Sequence, residues 1–559
     1  MNSCTAQRLP LLFAVLVLLL AWLLPNHYFP WVVAYQEFAS FIAGLLLIST
    51  TLLVKQLKLS PAVFGFFILA CIPLLQQFTG LIYFAGDAWM AALYLLGFAL
   101  MVLAGYNLTL QPAGRLYFAQ LLAAALVMGA VLSMWIALRQ WLLLSGSIWV
   151  ADLPPAGRPF ANLAQPNSLA TLLCMGLAGV LYFYEKRQIG RLAGGLLAAF
   201  LLFGVALTQS RTPWVAALAV ALFWGWKAIE CQPRLALRGL LGWIGVYVLC
   251  VVALPQIAEW LQLSSSDPLA RAQSLERWGM WMQFWQAIWQ GPLWGYGWNQ
   301  ASVAQVSVSL AYPVPIMTEH SHNILLDLLL WNGPLLGGLI IVCISVWLAR
   351  LGWRARSTES LFALLAAGFV LVHGMLEFPL EYAFFLFPLG LLLGMVAAEQ
   401  RPARELELPR WLLGAVLVLG IGMFGWIWQE YRIIEEDHRL MRFEAARIGD
   451  LKAELPAPDV LVLSQLREFI RFARTPATEH MPAEQLEWMR KVAHRYPHTF
   501  SLFRYALALG LNNQPATARQ QLLILQSLHG EKHYAEARQA WQTLQTKHPQ
   551  LVGVLSERP

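Results

Sequence analysis

Leu192-Ala-Gly-Gly-Leu-Leu-Ala-Ala-Phe-Leu-Leu-Phe-Gly-Val-Ala-Leu-Thr-Gln209 and Pro213-Trp-Val-Ala-Ala-Leu-Ala-Val-Ala-Leu-Phe-Trp-Gly-Trp-Lys-Ala-Ile229 are separated only by Ser210-Arg211-Thr212. Each run is nearly free of charge and about as long as a helix must be to cross roughly 30 Å of hydrocarbon. Two such runs joined by three polar residues read as a pair of membrane helices with a tight turn between them. The same reading extends outward. Apolar runs recur near 9–25, 36–54, 61–78, 88–107, 117–137, 166–184, 238–255, 323–348, 359–376, 382–398 and 411–429, which with the first two makes about thirteen transmembrane helices. The run at 9–25 lacks a small-residue cleavage site and leads straight into Pro25 to Trp31, so it reads as a retained helix rather than a signal peptide. The composition agrees: 58% hydrophobic residues, 12% charged residues and a mean hydropathy of +0.57 exceed what a water-soluble core of 559 residues uses. The expected fold is all-α, a polytopic membrane helix bundle over 1–429, including a long outer loop at 256–322, followed by a soluble helical domain over 430–559.

Charge fixes the expected orientation, because short loops on the cytoplasmic side are enriched in Lys and Arg. With Arg8 inside, the inner loops hold Lys55 and Lys58, Arg115, Lys186 with Arg187 and Arg191, Lys227 with Arg234 and Arg238, Arg350 with Arg354 and Arg356, and Arg401, Arg404 and Arg410. The outer side before position 430 has Arg139, Arg158, Arg211, Arg271 and Arg277. An odd number of helices then places the C-terminal domain outside, in the periplasm of a bacterial inner membrane. Cys4, Cys71, Cys174, Cys231, Cys250 and Cys343 fall in membrane runs or at inner positions, none in a C-x-x-C pair, so neither a disulfide framework nor a thiolate metal site is expected. The net charge of +7 follows from the inner loops and a mildly basic tail, and a nucleic-acid partner is not expected.

Polar residues that do not serve topology gather on the outer side. They are Arg158-Pro-Phe-Ala-Asn162-Leu-Ala-Gln165-Pro-Asn167, Gln209-Ser210-Arg211-Thr212, Glu319-His320-Ser321-His322-Asn323, and His373, Glu377 and Tyr382. Arg211 stands between two long apolar helices, where an ionised group is costly unless paired or hydrated. Its planar fork suits a phosphate or pyrophosphate, with Arg277 as a second positive group; the alternatives are a snorkelling helix end and a structural pair with Glu377. Trp281, Trp285 and Trp289 repeat at i, i+4, i+8 and share a helical face. That face fits an interfacial amphipathic helix, which is compatible with one wall of a site for a lipid-linked sugar. His320 and His322 introduce a long apolar run, as helix-capping residues or as groups able to exchange protons near neutral pH. No H-E-x-x-H, G-x-S-x-G, Walker or Rossmann pattern accompanies them.

The order Arg158-Pro-Phe-x-Asn-x-x-Gln165-Pro-Asn, Ser210-Arg211-Thr212, Arg277 with Gly291-Pro-Leu-x-Gly-x-Gly297, and His320-x-His322-Asn-x-x-Leu resembles the O-antigen ligase and polymerase superfamily. Within it the chain most resembles the bacterial protein O-oligosaccharyltransferases of the PglL type, the pilin glycosylation ligases. It departs from their usual pattern in carrying Ala161 and Ala164 where glycine is common and Ser168 where histidine is common. The resemblance implies transfer of an oligosaccharide from undecaprenyl diphosphate to a Ser or Thr hydroxyl of an acceptor protein such as a pilin, with inversion and without metal or other cofactor. It implies a catalytic His322, a diphosphate held by Arg211 and Arg277, and a site completed by Gln165, Arg158, His320, Glu319 and an aromatic near Glu377-Phe378-Pro379, Tyr382 being the nearest tyrosine. O-antigen ligation to a lipid A core and glycan polymerisation share this chemistry and differ in acceptor. A transporter of lipid-linked oligosaccharide would instead show repeat symmetry and helices broken at mid-membrane.

The tail reads as helices over Ala483 to His494, Thr499 to Leu511, Ala516 to Leu528 and Ala535 to Lys547, broken at Tyr496-Pro497, Asn512 to Pro515 and His529 to Glu531. Paired helices of this length resemble tetratricopeptide repeats. They serve either as a cap on the bundle or as a receiver for the acceptor protein.

Overall fold

The computed structural model describes residues 3–144, 146–154, 157–263, 276–402, 404–446, 448 and 456–556. Arg271 and the side chain of Cys4 lie outside the described residues. The fold is all-α. The thirteen apolar runs form α1 (Ser3–Ala21), α2 (Ala34–Thr51), α3 (Pro61–Phe78), α4 (Ala85–Leu108), α5 (Pro112–Trp141), α6 (Pro166–Glu185), α7 (Arg191–Leu207), α8 (Thr212–Cys231) and α9 (Leu237–Trp260). After α10 (Glu276–Gln290) and α11 (Ala301–Val308), they continue as α12 (Ile324–Arg354), α13 (Thr358–Gly374), α14 (Ala383–Glu399) and α15 (Arg410–Ala445). Eight of these, α3 to α6, α8, α9, α12 and α15, are long and apolar enough to cross a membrane, and α7, α13 and α14 are apolar but only 17 residues long. The chain is a multi-pass membrane protein. The expected thirteen are therefore all present as helices, eight of them with the length and apolarity of a full span.

Beyond α15 come α16 (Ser464–Arg474), α17 (Ala483–Arg495), α18 (Thr499–Leu511), α19 (Pro515–Gln545) and the short α20 (Val552–Ser556). The two helices expected on either side of His529 to Glu531 form one element, α19, with a sharp break at Gly530, whose φ is 80°. The only strands among the described residues, β1 (Leu57–Leu59) and β2 (Leu406–Leu408), pair antiparallel.

The chain forms two compact units. The first contains Met1–Leu69, Tyr94–Gln273 and Ser345–Trp426, and its helices pack as α1 on α2, α5 on α6, α6 on α7 and α13, and α13 on α14. Side chains on its outer faces, such as Leu192, Leu218, Leu222 and Val252, remain exposed, as expected of helices whose solvent is lipid. The second unit contains Ala70–Leu93, Ser274–Ile344 and Ile427–Pro559. Its core joins Phe84, at the head of α4, to Phe472, Met489, Leu509 and Trp541 from the tail helices, and Val306 of α11 to Leu502 and Leu525. The tail helices thus share one apolar core with two segments from the first 310 residues.

Candidate active site

Within the second unit, the sequence around His322 forms a turn tied down on both sides. Asn323 precedes α12, and its Oδ1 accepts hydrogen bonds from the backbone N–H groups of Leu325 and Leu326 at 3.0 and 3.3 Å, satisfying donors that a helix start leaves open. Asp327, in the first turn of α12, accepts the N–H of Ser321 at 2.9 Å. The Ser321 hydroxyl donates to the Asn323 carbonyl at 2.8 Å, and the indole N–H of Trp281 donates to the Ser321 carbonyl at 2.9 Å. His322 lies between these anchors, half-buried, with a left-handed φ of 56°. A β-carbon residue adopts that conformation only where its neighbours fix it. Arg277 stands one turn before Trp281 on the same face of α10. The exposed side of α10 carries Trp278, Trp285 and Trp289, and its buried side Phe284, Ala287 and Ile288, with Arg277, Gln283, Gln286 and Gln290 interspersed among them.

Glu319 and His320 lead into this turn. The Glu319 carboxylate pairs with the Arg495 guanidinium at 3.1 Å, and Arg495 also grips Asp87 through Nη2 and Nε at 3.0 and 3.1 Å. Burial acts to raise the Glu319 carboxyl, but Arg495 and His320 hold it below its ordinary range. Thr318 turns the chain, donating to the His320 carbonyl at 2.8 Å and accepting the His320 N–H at 3.2 Å.

The Gly291-Pro-Leu-x-Gly-x-Gly297 segment has a packing role. Pro334 has no N–H, so the carbonyl of Leu330, four residues earlier, has no helical donor. The Tyr296 N–H takes that place at 2.8 Å, and the Gly297 N–H reaches the Trp331 carbonyl at 3.1 Å. Gly333 breaks the helix there with φ 73°. A β-carbon at Gly295 would come within 2.6 Å of the Leu330 carbonyl oxygen, closer than packing allows.

The first unit holds the other expected residues. Arg158 donates through Nη1 to the carbonyls of Thr208 and Gln209 at 3.4 and 3.2 Å, bracing the turn that presents Arg211 at the start of α8. Gln209 is left-handed there, with φ 48°, and Ser210 accepts the Thr212 N–H at 3.3 Å. Gln165 precedes α6. Two residues on, Asn167 donates to Glu377 at 2.9 Å, and Thr171 meets His373 Nδ1 at 2.9 Å. Asn162 is a buried clamp, donating to the carbonyls of Leu23 and Trp149 at 2.7 and 2.9 Å. Ala161 and Ala164 both have left-handed φ, 54° and 60°, which explains why glycine suits these positions. Tyr382 precedes α14 and stacks on Phe384, with ring centroids 5.0 Å apart and planes 8° apart.

The first unit thus brings Arg158 to the Arg211 turn, and the second brings His322, His320 and Glu319 together with Trp281, the neighbour of Arg277. Three further polar residues escaped sequence reasoning. Glu37, fully buried, accepts the Tyr94 hydroxyl at 2.7 Å and the Ala383 N–H at 2.8 Å; its only signal was a lone acid at the head of an apolar run. Asp87 and Arg495 gave none, being 408 positions apart. The first unit also contains a largely apolar cavity of about 370 Å³ lined by α6 to α9, running from Pro213 and Val205 past Tyr247 and Trp243 to Arg191. Among the described residues no three His, Cys, Asp or Glu side chains gather as a metal-ligand set.

Residues 196–342 match the family model described as O-Antigen ligase, and residues 361–544 that described as Virulence factor membrane-bound polymerase, C-terminal. The chain is 33% identical over 546 residues to a protein of Acinetobacter baylyi named General O-oligosaccharyltransferase, covering 94% of each chain. It is 26% identical over 497 residues, 87% of this chain and 88% of the other, to a second protein of that organism, named ComP-specific O-oligosaccharyltransferase.

Proposed function

The chain belongs to the protein O-oligosaccharyltransferase family, and on that premise we propose that it moves an oligosaccharide en bloc from undecaprenyl diphosphate to Ser or Thr hydroxyls of periplasmic proteins such as a pilin. As a member it is a membrane glycosyltransferase. The proposal assigns the donor carrier, the acceptor hydroxyl, metal independence and the side of the membrane. The active site and the helical tail, residues 430–559, face the periplasm, and residues 1–429 form the catalytic membrane region. The alternation of basic loops supports that orientation.

The observation that carries the reading is the fixed turn at His322, whose flanking backbone groups are held by Trp281, Asp327 and the Ser321 hydroxyl. In the proposed reaction an acceptor hydroxyl attacks the anomeric carbon from the face opposite the diphosphate. The new C–O bond forms as the C–O bond to phosphate breaks, the electron pair leaves on the diphosphate, and the configuration inverts. His322 takes the hydroxyl proton as general base. Arg211 and Arg277 receive the charge that develops on the departing diphosphate, fixed positive groups that need no reorganisation during the step. Gln165, Arg158, His320, Glu319 and Tyr382 complete the substrate site, Arg158 by bracing the Arg211 turn. The apolar cavity beginning at Pro213, two residues from Arg211, offers the polyprenyl tail a dry slot.

Intact-mass spectrometry of periplasmic proteins tests this in cells that supply a lipid-linked glycan and express the native chain or His322→Ala. A glycan-sized mass on a Ser/Thr protein that is lost with the substitution is the expected result. A His322-dependent change in lipopolysaccharide or polymer length, with no protein adduct, would reassign the acceptor.

A further inference from the structure

We propose that Arg495, in the C-terminal helical segment, is a positioning residue for the histidine turn, so that the tail is a working part of the catalytic centre and not an appended module. The inference rests on the assignment of His322 as the base. Four polar side chains of the second unit hold the segment from Ile316 to His322. Gln305 of α11 donates to the Ile316 carbonyl at 2.8 Å and accepts the Thr318 N–H at 3.1 Å. Trp281 of α10 and Asp327 of α12 hold Ser321. Arg495, at the last residue of α17, holds Glu319. Arg495 is the one of these four from beyond residue 430; the apolar cluster of the tail around Leu502 and Leu525 also meets Met317.

Its surroundings make it a rigid anchor. The side chain is 8% exposed, and Asp87, its bidentate partner, 3%. The Arg495 carbonyl, left open at the helix end, accepts the hydroxyl of buried Ser302 at 2.7 Å. The guanidinium therefore lies between two carboxylates from segments far apart in the chain, with its main chain pinned to α11. Without that positive charge Asp87 and Glu319 repel each other across the same space. Glu319, the more exposed of the two at 36%, is the one free to swing outward. His322 follows three residues later, so the displacement passes to the base. A shift of about 1 Å in a catalytic group costs on the order of 100-fold in rate.

The test uses full-length protein in lipid nanodiscs, a synthetic undecaprenyl-diphosphate disaccharide as donor probe and a purified pilin as acceptor probe. The variants are Arg495→Met, Glu319→Gln, the double variant and His322→Ala, with hydrogen exchange followed over residues 316–323. Arg495→Met should lower kcat on the order of 100-fold, leave the acceptor KM within about threefold, and speed exchange in the turn. Glu319→Gln in the same background removes the repulsion, so the double variant should recover about tenfold, a non-additivity that independent sites do not show. Should Arg495→Met fail to fold, Glu319→Gln alone, which keeps the Arg495–Asp87 pair, should still lower kcat about tenfold and loosen the turn. Near-native kcat in Arg495→Met or additive losses would overturn the inference, as would a change confined to acceptor KM. An active His322→Ala would instead overturn the assignment of the base on which it rests.

Discussion

Replacing Glu37 tests whether a single buried carboxylate holds the start of α14 in place. Glu37 is fully buried and accepts two hydrogen bonds, from the Tyr94 hydroxyl at 2.7 Å and from the Ala383 N–H at 2.8 Å. Ala383 is the first residue of α14, and its N–H is among those a helix start leaves without an internal partner. Glu37→Ala leaves both donors without this acceptor, the Ala383 N–H buried and the Tyr94 hydroxyl part-buried, at about 1–3 kcal/mol each, or roughly 2–6 kcal/mol together. Tyr94→Phe removes one donor and leaves the acceptor with Ala383, so it should cost only about 1 kcal/mol. Glu37→Gln keeps an acceptor oxygen and should fall near the Tyr94→Phe value. Unfolding in detergent micelles, followed by tryptophan fluorescence, ranks the three variants. The loss should also appear in turnover, because Tyr382, the residue before Ala383, belongs to the proposed site. Equal stability of Glu37→Ala and Tyr94→Phe would refute the reasoning, because it would mean that the Ala383 N–H does not depend on Glu37.

Arg158→Ala should lower glycosylation turnover about tenfold, by releasing two charge-assisted bonds to the Thr208 and Gln209 carbonyls; unchanged turnover would remove Arg158 from the support of Arg211. His494, in the tail, is lowered to about 4 by burial and by the nearby Arg490, so between pH 6.5 and 4 the unfolded chain binds the proton that the folded chain refuses. The contribution of His494 to stability should therefore be full above the ordinary histidine value and fall by up to about 3 kcal/mol as the pH drops to 4; His494→Gln should reduce the slope in urea titrations across the range, leaving the part due to His498 and His529, which burial also lowers. Ala164→Gly should raise unfolding stability by roughly 0.5–1 kcal/mol by relieving a left-handed alanine. Gly333→Ala should lower it by more than 1 kcal/mol, because both the backbone angle and the space are closed to a β-carbon.

The helices were legible because hydrocarbon admits few alternatives. A run such as Leu192 to Gln209 must satisfy its backbone internally, so apolarity and length together dictate a helix. The break at Gly333-Pro334 within the run at 323–348 had a local signal, Asn332-Gly333-Pro334, which the length and apolarity of the run around it outweighed. The polar motifs were legible as types, and the structure separates their roles. Asn162 serves as a clamp, Arg158 as a brace, and the glycines of 291–297 as close-packing residues. Pairings set by tertiary contact were not legible. Arg495 reads as one more charge near the end of a helix, and nothing local ties it to Asp87 or Glu319. Glu37 likewise needs the arrival of Ala383, 346 positions later.

The broken α12 also bears on which changes of length the chain tolerates. Pro334 withholds the donor of the Leu330 carbonyl and the break at Gly333 interrupts the helix beside Trp331; the two carbonyls are filled from outside by Tyr296 and Gly297, and Gln76 joins them by donating to Trp331 and accepting from Trp298 at 2.9 Å each. Residues 295–298 and 330–334 therefore behave as plug and socket, keyed to one another residue by residue. Insertions between them, along the exposed stretch from Leu310 to Tyr312, leave both halves of the joint intact. A single residue added within either half shifts every contact at once, so homologues that vary freely in the length of this loop should keep both pieces at constant length.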